Sequence, residues 1–506
     1  MILLTLLLAC TDTEDTAVTT TATTESAETA LSTTSETTAT GQTSTTETAK
    51  PAPSPYATDC IPQKASHTGE ICLATPACRI DGLSAYGYFG FDLAVGNDFD
   101  QDGVADIAVG APRHSNDGAV FLISGNNLSQ GEENHLGTVE GAALERFGTA
   151  LASDDFNGDG YSDLLIGSPE FDGTYDLQGQ VTLLYGSKVG LDISNRHTFS
   201  AQDAFGQIGT EVNSAGDVNG DGLNEWMTNG QLLDDTGSFY EDGGLWLVSG
   251  QTEIWGQENN LTEMATFISG AAGSASGLAL EHADINLDGY SDLMVGAPYA
   301  NNYYGAVYLI FGGKEGITAK SMTDADQTIN GASYGDLMGW KLAVGDFNKD
   351  MLVDLAVSSP AADQPYGSEG QVDLFTFSSS SPVLLTQLTG EHDDHQLGSG
   401  LTAADLDNDG FDDLLIGAVN AHQNLKTKAG RIYLLNGASK ITGGSVADLN
   451  LTNIYGADVN DYIGSAMAVA DLNADKSPDL VVSVGYTDSN NTIDSGTLYF
   501  LFGGDH

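Results

Sequence analysis

The chain has 506 residues, of which 71 are Asp or Glu and only 16 are Lys or Arg, a formal net charge of −55. A surface of that sign repels nucleic acid and other polyanions, which excludes them as partners. Glycine is abundant (62) and proline scarce (12), a balance that fits many tight turns in a folded chain, and the 41% of apolar and aromatic residues leaves material for a core.

The chain opens with MILLTLLLAC, an apolar run too short to cross a bilayer as a helix, and it reads as an export signal over residues 1–9. Leu7-Leu8-Ala9-Cys10 resembles a bacterial lipobox, although no Lys or Arg precedes the run; the resemblance implies cleavage before Cys10 and its lipidation. Residues 10–59 follow as a Thr-, Ser- and Glu-rich stalk that buries too little apolar surface to offset its ordering entropy. A lead-in over 60–78 holds Cys60, Cys72 and Cys78, of which export permits one pair to form a disulfide, with the pairing left open. These features predict an exported, monomeric lipoprotein of the cell envelope that meets the membrane only through its lipid.

Over residues 79–506 one pattern returns about every 60 residues. Seven acidic stretches read DFDQDGVAD, DFNGDGYSD, DVNGDGLNE, DINLDGYSD, DFNKDMLVD, DLDNDGFDD and DLNADKSPD. Each lies between two short apolar runs, and a third, opened by Gly, follows a variable loop, as in GAVFLISG and GAVYLIFG. Short β-branched and aromatic runs bounded by turn residues are the strand signature, and no segment sustains a helical period. A fourth strand precedes each later repeat, as in Gln327-Thr328-Ile329-Asn330. Four strands per repeat predict an all-β fold, a seven-bladed β-propeller. The chain ends on a third strand, so Arg79-Ile80-Asp81-Gly82 is expected to pair with Thr497 to Phe502 and close the ring.

Each acidic stretch offers side-chain oxygens at its positions one, three, five and nine, with a backbone carbonyl at position seven. The candidate ligands are Asp98, Asp100, Asp102 and Asp106; Asp155, Asn157, Asp159 and Asp163; Asp217, Asn219, Asp221 and Glu225; Asp284, Asn286, Asp288 and Asp292; Asp346, Asn348, Asp350 and Asp354; Asp405, Asp407, Asp409 and Asp413; and Asp471, Asn473, Asp475 and Asp479. Such an arc suits a hard cation taking six to eight oxygens, so up to seven Ca2+ are expected. Hydrogen-bonded Asp-Gly turns without metal are the alternative for any one loop, but seven in register would concentrate uncompensated like charge. Position two (Phe99, Phe156, Ile285, Leu406) is free to face the core, and Gly at position six permits a positive φ. Met351 and Lys476 occupy position six in two loops, so the sites beginning at Asp346 and Asp471 are expected to be weaker, and those of loops one, two, four and six the tightest.

Phe89-Gly90, Phe147-Gly148, Met338-Gly339 and Leu397-Gly398 open inner strands, and Gly110-Ala111-Pro112 and Gly296-Ala297-Pro298 follow second strands. With the acidic loops, these resemble the FG-GAP repeats of the integrin α-subunit propeller. The third repeat departs from the pattern at Ile208-Gly209 and Thr228-Asn229-Gly230. The resemblance implies calcium on one face and partner recognition by loops on the other.

Gly331-Ala332-Ser333-Tyr334-Gly335 matches a nucleophile elbow in letters but lies between an outer strand and the next repeat, with no helix to follow. His392-Asp393-Asp394-His395 could bind a metal or serve as acid and base, though a solvated acidic loop is the plainer reading. Catalysis is therefore not expected. Tyrosines crowd the loops of the presumed recognition face, namely Tyr86, Tyr88, Tyr175, Tyr240, Tyr299, Tyr303, Tyr304, Tyr334, Tyr366, Tyr462 and Tyr486. Each gives a flat apolar surface with a polar tip, suited to a protein or glycan. The alternatives are a polysaccharide-acting enzyme at the propeller mouth, using His392, His395 and Tyr334, and a structural envelope component.

Overall fold

Every repeat folds into an antiparallel sheet of four strands, and the seven sheets are seven blades of a β-propeller. The computed structural model describes residues 70–72, 78–82 and 84–503, apart from 127, 129–133, 143, 203–205, 231–241, 363–366, 379, 423–425 and 486–493. The signal, the stalk, Cys10, Cys60, Tyr240, Tyr366 and Tyr486 lie outside the described residues, as do the side chains of Cys72 and Cys78. The inner strands are Leu93–Asn97, Leu151–Asp154, Ile208–Gly216, Ala279–Ala283, Leu342–Gly345, Leu397–Ala404 and Met467–Ala470. Each touches the inner strands of the blades before and after it, and the seventh touches the first.

Second strands such as Asp106–Ala111 and Asp413–Ala418 are buried at every residue. Their continuous apolar runs follow from their place, sandwiched between two neighbouring blades. The core divides accordingly into seven clusters, one at each junction between blades. The cluster joining blades seven and one holds Ile80, Val481, Leu498 and Phe500 against Ile107, Val109 and Phe121. Ring closure follows the expected register: Arg79 pairs with Tyr499, Ile80 with Leu498 and Asp81 with Thr497. The amide of Gly82 then donates to the Gly496 carbonyl at 2.9 Å.

The glycines of the signature have a steric cause. A Cβ on Gly110 would stand 2.2 Å from the Gly148 carbonyl oxygen of the next blade, and Gly148 itself has φ +88°. Only bare backbone permits that approach. Where blade three departs, Asn229 takes the corresponding place beneath Gly277 and accepts the Glu211 amide at 2.8 Å on its side-chain oxygen.

Three sheets carry a fifth strand that the sequence pattern did not announce. Glu258–Asn260 adds to blade two, Gly444–Ser445 to blade five and Glu70–Cys72 to blade six, each parallel to the outer strand. The first two come from the connection between third and fourth strands of the following blade, which crosses to cover its neighbour's edge. Glu70–Cys72 does the same ahead of the strand that completes blade seven. An unpaired edge is thereby shortened and adjacent blades are stitched together.

Ile80 is fully buried at the closing seam. Ile80→Ala is expected to cost about 2–5 kcal/mol of stability, read as a fall in the urea midpoint. A change under about 0.5 kcal/mol, the size of a surface substitution, would show that the seam does not hold the ring.

Candidate metal loops and the opposite loop face

All seven acidic loops join a first strand to a second and so lie on one face of the ring. Their internal bonding repeats. The position-one Asp accepts the amide of residue six on Oδ2, from Gly103 to Asp98 at 2.9 Å through Lys476 to Asp471 at 2.8 Å. Its Oδ1 accepts the amide of residue five. The position-five Asp in turn accepts the amide of residue seven. These bonds bend the chain so that alternate side chains turn inward.

The position-nine carboxylate is buried in every loop. In six loops one of its oxygens accepts the position-two amide. The other accepts the amide of the glycine that ends the third strand, as Gly186 does to Asp163 at 2.8 Å. In loop five, Asn348 Nδ2 donates to both oxygens of Asp354. Burial pushes these carboxyls up, to about 7 for Asp106, Glu225, Asp292 and Asp479, about 8 for Asp163, and about 6 for Asp354 and Asp413, with neighbouring loop carboxylates adding to the rise.

Asp98, Asp100 and Asp106 each bring one oxygen within 4.8 Å of the others, as do Asp405, Asp407 and Asp409. The other five loops carry Asn157, Asn219, Asn286, Asn348 or Asn473 at position three, so one of the arc's oxygens there is neutral. An arc of carboxylate and amide oxygens fits a hard divalent cation. Position two packs inward as expected, with Phe99 and Phe156 buried. Position six has a positive φ in every loop, including +65° at Met351 and +72° at Lys476, which lack the freedom of glycine there. Position four does so too, at Gln101, Leu287, Lys349, Asn408 and Ala474, a second bend the sequence reading missed. It also missed Lys349 of loop five, whose Nζ donates to the Asp409 carbonyl of loop six at 2.6 Å and lies 3.8 Å from the centre of the Phe411 ring.

On the opposite face, Tyr299, Tyr303, Tyr304 and Tyr334 form one group. Ring centroids are 5.5 Å apart for Tyr299 and Tyr303, and 6.3 Å apart for Tyr334 and each of Tyr303 and Tyr304. Tyr334 is 71% exposed and Tyr303 50%. Tyr86 and Tyr175 are exposed elsewhere, while Tyr88 lies under Arg113 and Tyr462 under Lys428. Ser333 donates its amide to Asp336 at 3.0 Å in a loop-closing bond, and no helix follows it.

His392 and His395 do come together, but with His422, Glu391 and Arg431 rather than with Tyr334. The five residues and Asp393 line a cavity of about 570 Å³. His395 is buried, and desolvation with the neighbouring His392, Arg431 and His422 lowers its pKa to about 4.

The inner strands bring a second unforeseen group together. Asp92, Glu211, Glu281 and Lys341, at or beside the inner strands of blades one, three, four and five, lie close enough for their charges to interact, Lys341 with each of the three acids. Desolvation raises Asp92 to about 7 and Glu281 to about 8, and Glu211 raises Lys341. Charged residues at or just before the inner strands were the available signal.

The FG-GAP repeat model matches residues 89–123, 147–184, 276–310, 338–375 and 397–435. Five of the seven repeats are thus FG-GAP repeats. Blades three and seven fall outside the five FG-GAP matches yet fold as the others do. Integrin alpha pat-2 of Caenorhabditis briggsae is 30% identical over 303 residues, covering 57% of this chain and 24% of that protein. Phosphatidylinositol-glycan-specific phospholipase D of Bos taurus is 28% identical over 398 residues, covering 69% of this chain and 46% of its own length. Integrin alpha-3 of Mus musculus is 31% identical over 222 residues, 42% of this chain and 20% of that one. The chain thus spans about half or less of the curated relatives it matches. Among the described residues no helix is long and apolar enough to cross a membrane.

The inner-strand charges predict a pH dependence. A carboxyl whose pKa is raised by folding stabilises the fold most below its unfolded value, about 4, and that contribution is lost as pH rises through the folded value. For Glu281 the folded value is about 8. Glu281→Gln should therefore melt like the parent near pH 4 and progressively higher than the parent as pH approaches 8. A constant difference across that range would contradict the assignment.

Proposed function

We propose that this chain is an exported, surface-anchored, calcium-binding FG-GAP propeller that holds a protein or glycan partner through the loops opposite its metal face. The observation that carries the reading is the tyrosine group of blades four and five: contiguous aromatic rings with polar tips, one of them 71% exposed. Exposed Tyr supplies large contact area at low entropic cost, which suits recognition. Names among the relatives point both to integrin α-subunits and to a phospholipase. Recognition is preferred because Ser333, in the one nucleophile-elbow pattern, sits in a closing turn between blades rather than on a strand-to-helix elbow.

In this reading Ca2+ is held by the oxygens at positions one, three, five and nine of each loop, and supplies the positive charge that seven buried position-nine carboxylates lack. Added calcium should raise the melting midpoint of the chain and a chelator should lower it, since a ligand bound only to the native state stabilises by about 2.7 kcal/mol at a hundredfold excess over Kd. Identical midpoints would remove calcium from the proposal. Tyr303→Ala with Tyr334→Ala, both exposed, should leave the melt unchanged and abolish binding to whichever glycan or surface protein the parent captures in a binding screen. A partner retained at full affinity would place recognition elsewhere.

A further inference from the structure

The repeats supply an internal comparison that singles out blade six. In the loop that enters an inner strand, blades two, five and seven place a buried acid, Glu145, Asp336 or Asp461, which accepts the amide three residues earlier at 2.7–3.0 Å and closes the loop. Blade six puts His395 at that position. His395 is 2% exposed, and its Nδ1 has no hydrogen-bond partner among the described residues. A buried, unsatisfied ring nitrogen where sister blades satisfy the same place is a cost the fold itself does not require. Two further residues of this cavity break the repeat. Glu391 stands where other blades have Ala142, Ala271, Ala332 and Ala457, and Arg431 where they have Ala119, Gln180, Ala306, Gln371 and Thr497.

We propose that Glu391, His392 and His395 form a site for a divalent transition-metal ion of the zinc class, distinct from the oxygen-lined loops of the opposite face. His395 Nδ1 lies 3.9 Å from Glu391 Oε1; ligand atoms on a tetrahedral ion with bonds of about 2.0–2.1 Å stand about 3.3 Å apart, so the two draw together and the exposed His392 turns in as the ion binds. The His392 and His395 ring centroids are 5.1 Å apart. Two imidazoles bound to one tetrahedral ion at about 2.0–2.1 Å place their ring centres about 5 Å apart. His392 and Asp393 are exposed at the cavity mouth, which leaves a route of entry.

The other polar groups hold this set rather than join it. Arg431 Nη1 donates to Glu391 Oε1 and to Tyr433 Oη, its Nη2 donates to the His422 carbonyl at 3.3 Å, and its guanidinium lies over the Tyr455 ring. Through Nη1 Arg431 orients Glu391, as supporting groups do around metals, while its buried Nε has no partner among the described residues. His422 Nδ1 accepts the Lys428 amide at 2.9 Å, which leaves the proton on Nε2 and makes His422 a donor, not a ligand. An anionic ligand is disfavoured by Glu391 and Asp393 on the same wall and by the net charge of −55.

The test is titration of the chain with Zn2+ and with Co2+ in saturating calcium, which keeps the acidic loops from taking up the probe. The parent should bind one Zn2+ per chain with highest affinity, and Co2+ should show the visible absorption of a low-symmetry nitrogen-and-oxygen site. His392→Ala, an exposed change that leaves the core alone, and His395→Ala should each weaken that binding at least about tenfold, the lower bound seen even for supporting residues around metals. His422→Ala should retain the stoichiometry. Absence of a tight site in the parent, or one that survives both His392→Ala and His395→Ala, would overturn the proposal.

Discussion

The rest of the structure hangs on a buried carboxylate that must be hydrogen-bonded in two directions at once. At position nine of most repeats it takes one amide from the head of its own loop and one from the glycine that ends the third strand. Local turn and sheet are thereby tied at a single side chain. An unpaired acid in that place would be intolerable, and even a hydrogen-bonded one is pushed toward neutrality. The chemistry that shapes the loop is thus also what gives it an appetite for positive charge.

That constraint explains why so much of the architecture was legible in the sequence. A residue that must reach both its own loop and the next strand fixes the spacing of the acidic positions, and the spacing announces the repeat. The strand pairing of Arg79, Ile80 and Asp81 could be read because the chain ends one strand short of a blade. Inward packing of Phe99 and Phe156 could be read from alternation alone. What stayed hidden depends on neighbours distant along the chain. Lys349 reaches a loop 60 residues away. Glu281 meets Glu211 and Lys341 only because the ring brings blades three, four and five together. The stitching strands belong to connections whose residues carry little β character, so pairing with a neighbour's edge, not propensity, makes them strands.

Repetition also separates what the fold needs from what a particular blade adds. Asn229 replaces a glycine and still satisfies the backbone it meets, so blade three keeps its place while losing the letters of the signature. His395 replaces a loop-closing acid and leaves a nitrogen unsatisfied. The first departure is absorbed by the scaffold; the second is not. Five repeats match the family model although seven are built.

The closing seam has a mechanical consequence. The chain enters the ring through Glu70–Cys72, laid along Thr452–Tyr455 of blade six, and then supplies Cys78–Asp81 to blade seven. Tension on the leading segment therefore arrives at two blades in succession before it reaches any acidic loop or any loop of the opposite face. A pull along those strands has to shear several backbone bonds together, whereas a pull across them can peel the bonds one at a time. The direction of load, more than its size, decides whether the ring opens, and the seam works as a clasp whose strength depends on how the molecule is held.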